Sequence, residues 1–136
     1  MATAIFRDAK PDQSLPENVL RAEKLIRSLA ASFRAAAAKA PKSISVFRRV
    51  FDEPHWTSSI CENVAKSMDI AANALLRKDK YLSWALMFDA KQDFDAEAKK
   101  HLKASKYLLV GRSHVQAAKD FRGYSDVAKT ALDLLV

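Results

Sequence analysis

Apolar residues recur along this chain at three- and four-residue spacing in four long stretches, separated by short polar or proline-containing breaks. That period is the amphipathic α-helix. In the first stretch Val19, Ala22, Leu25, Ile26, Leu29, Ala30 and Phe33 fall on one side, and the alanines from Ala35 to Ala38 prolong it until Pro41 stops it. Ser14 and Glu17 read as a Ser-x-x-Glu capping box, with Pro16 in the first turn, where its missing N–H costs nothing. The second stretch begins at Ile44, Phe47, Val50 and Phe51, breaks at Asp52-Glu53-Pro54, and resumes at Trp56, Ile60, Val64, Met68, Ala71 and Leu75. It predicts a short helix near 43–52 followed by a long one near 55–77, so the second helix is kinked or split. The polar reversal 77–80 leads to a third helix from about Tyr81 to Leu109, with Trp84, Ala85, Phe88, Phe94, Ala98, Leu102 and Leu109 as its apolar side. Val110-Gly111-Arg112 closes that helix. Ser113 and Gln116 then form a second capping box, opening a fourth helix through Val115, Ala118, Phe121, Ala128, Leu132 and Leu135. Gly123 inside it either permits a close helix contact or marks a bend.

Four amphipathic helices joined by short connections bury their stripes against one another, and short connections favour antiparallel neighbours. The expected fold is all-α, an antiparallel up-down four-helix bundle. With 136 residues, 49% of them hydrophobic, the chain has material for one core. Residues 1–13 read as a flexible lead-in and 14–136 as the single domain. Only Gly111 and Gly123 are glycines, which leaves few places for the chain to reverse. No apolar run is long enough to span a bilayer and the N-terminus lacks a signal-peptide layout, so a cytoplasmic protein without a membrane partner is expected. The lone Cys61 fits a buried, reduced thiol.

Charge narrows the function. The formal net charge is +7, and it is unevenly placed. Arg21, Lys24, Arg27, Arg34, Lys39, Lys42, Arg48 and Arg49 face a single acid, Glu23, within their span. Arg77, Lys78 and Lys80 form a second cluster and Lys99, Lys100, Lys103 and Lys106 a third. An antiparallel bundle puts the 39–49 and 77–80 clusters at opposite ends. Such clusters neutralise phosphates without reading sequence, so the expected partner is nucleic acid, RNA or DNA. No aromatic alternation suited to stacking bases accompanies them, and Trp56, Trp84, Phe88 and Phe94 read as core.

Catalytic motifs are missing. The most enzyme-like feature is the stripe Asp89, Asp93, Glu97 and His101, but a four-residue step advances about 400°, so the groups drift around the helix and cannot meet at one ion. Ferritin-like partners on a facing helix are also lacking. The stripe reads as a solvated acidic face, with Asp95 and Lys99 as an i,i+4 pair. His55, His101 and His114 are scattered near helix starts or on charged faces, and no phosphate loop or nucleophile elbow occurs. A non-enzymatic protein with no cofactor, metal or catalytic residue is expected. The alternative is a helical protein-docking or oligomer-forming protein that binds no nucleic acid, for which Ala35 to Ala38 would allow close approach.

The order of a long basic helix, Ala-Pro-Lys-Ser at 40–43, a long helix, Leu-Arg-Lys-Asp-Lys at 76–80, a long helix and Ser-His-Val-Gln at 113–116 resembles the Avd accessory proteins of diversity-generating retroelements and the four-helix proteins of rRNA intervening sequences. The likeness covers about residues 16–135. It implies a basic bundle assembled as a homo-oligomeric, ring-shaped pentamer that binds nucleic acid and a reverse transcriptase.

Overall fold

The computed structural model describes residues 15–40, 56–106 and 111–136, and every element among them is a helix. In chain order these are α1 (Glu17–Lys39), α2 (Ser58–Leu76), α3 (Lys80–Ala104) and α4 (Gly111–Leu135). Each packs on its neighbours in sequence, and α4 closes the ring against α1. Cross-helix contacts fix the directions, the pairs 27–73 and 34–69 running antiparallel between α1 and α2 and the pairs 95–125 and 101–114 between α3 and α4. Arg27 of α1 reaches Asn73 of α2, Asp95 of α3 meets Ser125 of α4, and Asn18 Nδ2 donates to the Leu134 carbonyl at 2.7 Å. The fold is therefore the expected up-down four-helix bundle.

The helix ends show how local sequence punctuates the chain. Ala40 is extended (φ −76°, ψ 152°), the conformation imposed on a residue preceding proline, and α1 stops there. Its start differs from expectation: Pro16 occupies the N-cap position and no side chain caps the helix. Ser14 lies outside the described residues, as do the kink at Pro54 and the short helix near 43–52. Thr57 caps α2, its hydroxyl accepting from the Ile60 N–H at 3.3 Å. At the far end the N–H of Asp79 donates to the Ala74 carbonyl at 2.8 Å and that of Lys78 to Leu75 at 3.1 Å. These are the two bonds of a Schellman turn, and they hold Lys78 in the left-handed region at φ 64°. Asp79 then caps α3 by accepting from the Leu82 N–H. One short reversal thus ends one helix and begins the next without glycine.

The expected boundary between the third and fourth helices moves. α3 ends at Ala104, where the Ser105 hydroxyl donates to the Leu102 carbonyl at 2.6 Å. Gly111 does not close α3 but is the first residue of α4. Ser113 therefore sits within a helix rather than capping one, and Gln116 bonds Asp120 one turn on at 2.9 Å. Leu109 lies outside the described residues.

The core is built around five rings. Phe94 is fully buried and stacks on Phe33 with centroids 5.3 Å apart. Tyr124 approaches Phe33 to 4.6 Å, and half-buried Trp56 meets Phe121 edge-on at 4.9 Å. Alanines fill much of the remaining core, among them Ala22, Ala65, Ala71, Ala128 and Ala131. Small side chains there let the helix axes approach closely.

On α3 the structure corrects the apolar face. Ser83, Met87 and His101 point inward with Phe94 and Ala98, whereas Trp84 and Phe88 are 37% and 39% exposed and Leu102 is exposed as well. Each misassigned residue directly follows a buried one, about 100° round the helix. Val115 of α4 and Ile60 of α2 are also exposed. Gly123 is exposed too, in an unbroken helix, and a Cβ added there would meet nothing within 4 Å. It serves no close approach, so Gly123→Ala should raise stability by about 0.5–1 kcal/mol, measurable as a higher urea midpoint with an unchanged slope.

Candidate nucleic-acid interface

The basic residues fall into two classes once the helices are packed. Arg27 and Arg34 pair across the α1–α2 interface. Arg27 Nε pairs with Glu23, its Nη2 donates to Asn73 Oδ1 at 2.8 Å, and its Nη1 lies 3.9 Å from Asp69. Arg34 pairs with the same Asp69 across the α1–α2 interface. Sequence placed these two arginines among the phosphate contacts; the structure shows both paired across α1 and α2, with Arg34 still 53% exposed. The acid that satisfies both, Asp69, lies 35 or more residues away in the chain, beyond the reach of local charge counting.

Arg21, Lys24, Lys39, Arg77, Lys78, Lys80, Lys99, Lys100, Lys103 and Lys106 are exposed. Of these, Lys100 has a weak partner, Glu97, at 3.4 Å. The pairing of Arg27 with Asn73 sets Arg21 and Lys24 near the end of the bundle that carries Arg77, Lys78 and Lys80. Lys39 and the Lys99–Lys106 cluster occupy the other end, so Lys39 and the 77–80 cluster lie apart as expected. Lys42, Arg48 and Arg49 lie outside the described residues. The span from Lys80 to Lys106 is about 39 Å at 1.5 Å per residue.

The acidic stripe divides. Asp89 and Asp93 are exposed on the rim of an open groove between α2 and α3, whose apolar wall includes Trp56, Ile60, Val64 and Leu86. Burial, with Asp89 and Glu97 nearby, pushes the Asp93 carboxyl up. Glu97 and His101 turn inward instead, with His101 Nε2 3.8 Å from Glu97 Oε2. Asp95 does not take Lys99 as its ion-pair partner. It pairs with Lys91 at 2.7 Å and accepts from the Ser125 hydroxyl, and these two bonds hold its carboxyl below the usual aspartate range.

Neither His101 nor His114 lies on a charged face. Both are 1% exposed, and their Nδ1 atoms are 2.9 Å apart, so one ring donates its N–H and the other accepts. Phe121 stacks on His101 at 5.7 Å. Two histidines thirteen residues apart, astride an antiparallel connection, are the sequence signal for this pair. Nearby, Cys61 and Tyr124 line an apolar cavity of about 340 Å³ with Phe33, Trp56 and His101. Burial pushes up both the thiol and the phenol, Tyr124 also feeling Asp120 and Cys61. A thiol held protonated in this way is a poor nucleophile. Among the described residues no group of three or more His, Cys, Asp or Glu side chains is placed to hold a metal ion, and no helix is long and apolar enough to cross a membrane.

Comparison with family models, with curated proteins and with solved structures returned no match to this chain.

Proposed function

We propose that this chain is a non-enzymatic bundle that binds nucleic acid through phosphates, and that it acts as an Avd-like accessory to a reverse transcriptase, as its helix order suggests. One observation carries the reading: apart from half-buried Arg27, the described cations of the three basic clusters stand exposed, and all but Arg34 gather toward the two ends of the bundle. Acids are fewer beside them: Asp79 sits between Lys78 and Lys80, and Glu97 pairs weakly with Lys100. The acids Glu23, Asp69 and Asp95 each have partners elsewhere. Each phosphate neutralised by such a cation releases counterions, so affinity should fall steeply with salt.

The test is a titration against labelled duplex DNA, structured RNA and an RNA–DNA hybrid at several salt concentrations, with the mass measured by light scattering. The paired charge reversal Arg77→Glu with Lys80→Glu should weaken binding to all three and flatten the salt slope by about two. A pentamer mass supports the Avd-like assembly. Absence of binding at low salt overturns the reading. It would favour the second one, docking of a partner protein, for which the apolar groove between α2 and α3 with Asp89 and Asp93 on its rim is the specific observation.

A further inference from the structure

The exposed aromatic residues of α3 form one surface. Tyr81 is 80% exposed, and Trp84 and Phe88 stack on each other with centroids 5.0 Å apart and planes inclined by only 14°. At 100° per residue, positions 81, 84, 88, 95, 99 and 102 share an arc of about 60°. The stripe therefore begins with these rings, beside Arg77 and Lys80, and ends at Lys99 and Leu102, with Lys103 and Lys106 beyond. Its one acid, Asp95, is neutralised by Lys91 and bonded by Ser125.

We propose that this face of α3 binds single-stranded nucleic acid, the bases stacking on Tyr81, Trp84 and Phe88 and the flanking phosphates resting on Arg77, Lys80 and Lys99. The inference rests on the nucleic-acid reading and specifies its substrate and its stacking residues. The rings span about 10 Å of helix, room for about three nucleotides at 3.4 Å each. Duplex bases are already stacked on one another and present no free face to a ring, so this surface selects unpaired strands. The centre of a protein interface is depleted of charge, whereas here Arg77 and Lys80 adjoin the rings at one end and Lys99 lies about 16 Å beyond Phe88 along the same stripe, past the exposed Asp89. That arrangement matches a polyanion with exposed π faces better than a second copy of the chain.

The experiment compares wild type with the double variants Trp84→Ala/Phe88→Ala and Trp84→Phe/Phe88→Tyr. The probes are a labelled short oligothymidylate and a duplex of equal length, read by anisotropy and by tryptophan quenching. Both pairs sit on the surface, and circular dichroism checks that each variant is helical. The alanine variant should lose about fivefold or more in affinity for the single strand and keep its duplex affinity, while the aromatic variant retains both. Single-strand affinity equal to wild type in the alanine variant overturns the proposal. So does a drop in oligomer mass without a change in binding, which would make the face a contact between copies. Wild type that binds duplex but not the single strand sinks this inference alone; wild type that binds neither sinks the nucleic-acid reading itself.

Discussion

Phe94→Ala should destabilise the bundle by about 3–5 kcal/mol, more than any other single truncation considered. Phe94 is fully buried and has the rings of Phe33, Trp56, Phe121 and Tyr124 within 6.5 Å of its own. Those neighbours come from α1, α4 and the residue preceding the α2 cap, so no single helix can shift to fill the space left behind. Both the transfer of the ring and the unfilled cavity then count against the variant. A domain of this size holds only about 5–15 kcal/mol in total. The thermal midpoint should therefore fall by roughly 10 °C or more, with near-ultraviolet dichroism weakened because the aromatic cluster loses its central member. Phe94→Leu keeps most of the volume and should cost about 1–2 kcal/mol. A loss below about 1 kcal/mol for the alanine variant would mean that the ring is not the centre of the core.

The second large effect concerns the polar tie between α1 and α2. Arg27→Met should cost about 2–3 kcal/mol. Removing one partner of a buried ion pair costs about 3–5 kcal/mol, because the other charge is left without compensation. Glu23 is only 8% exposed and Asn73 1%. The Arg27 side chain is 23% exposed, so water offsets part of the penalty. Glu23→Gln in the same chain removes the stranded charge and should recover a measurable part of the loss, a coupling that a double-mutant cycle reads directly. Folded Arg27→Met protein should bind nucleic acid as wild type does. Weakened binding without lost stability would return Arg27 to the phosphate contacts.

The interior of α3 explains where sequence and structure part. Along α1 the large apolar side chains sit on the buried arc, from Val19 through Ile26 to Phe33, so type and position agree. On α3 the inward positions are Ser83, Met87, Ala90, Phe94, Ala98 and His101. Small and polar residues there leave the strongest hydrophobic signal, Trp84 and Phe88, on the neighbouring arc. Periodicity then reports the right spacing with the wrong phase. The histidines fail for a related reason, since the Nδ1 of each finds its hydrogen bond on a different helix, in the ring of the other.

Sequence by itself determined the order of the four described helices, their antiparallel arrangement, the stop of α1 before Pro41, and the location of the excess positive charge along the chain. These follow from local rules: apolar period, capping and chain-breaking residues, and charge. Tertiary structure alone decided which face of α3 points inward, which arginines pair across α1 and α2, and which rings remain at the surface. Each of those depends on what another helix presents at the same level, and the pairing of Asp69 with both Arg27 and Arg34 exists only once the register between α1 and α2 is set.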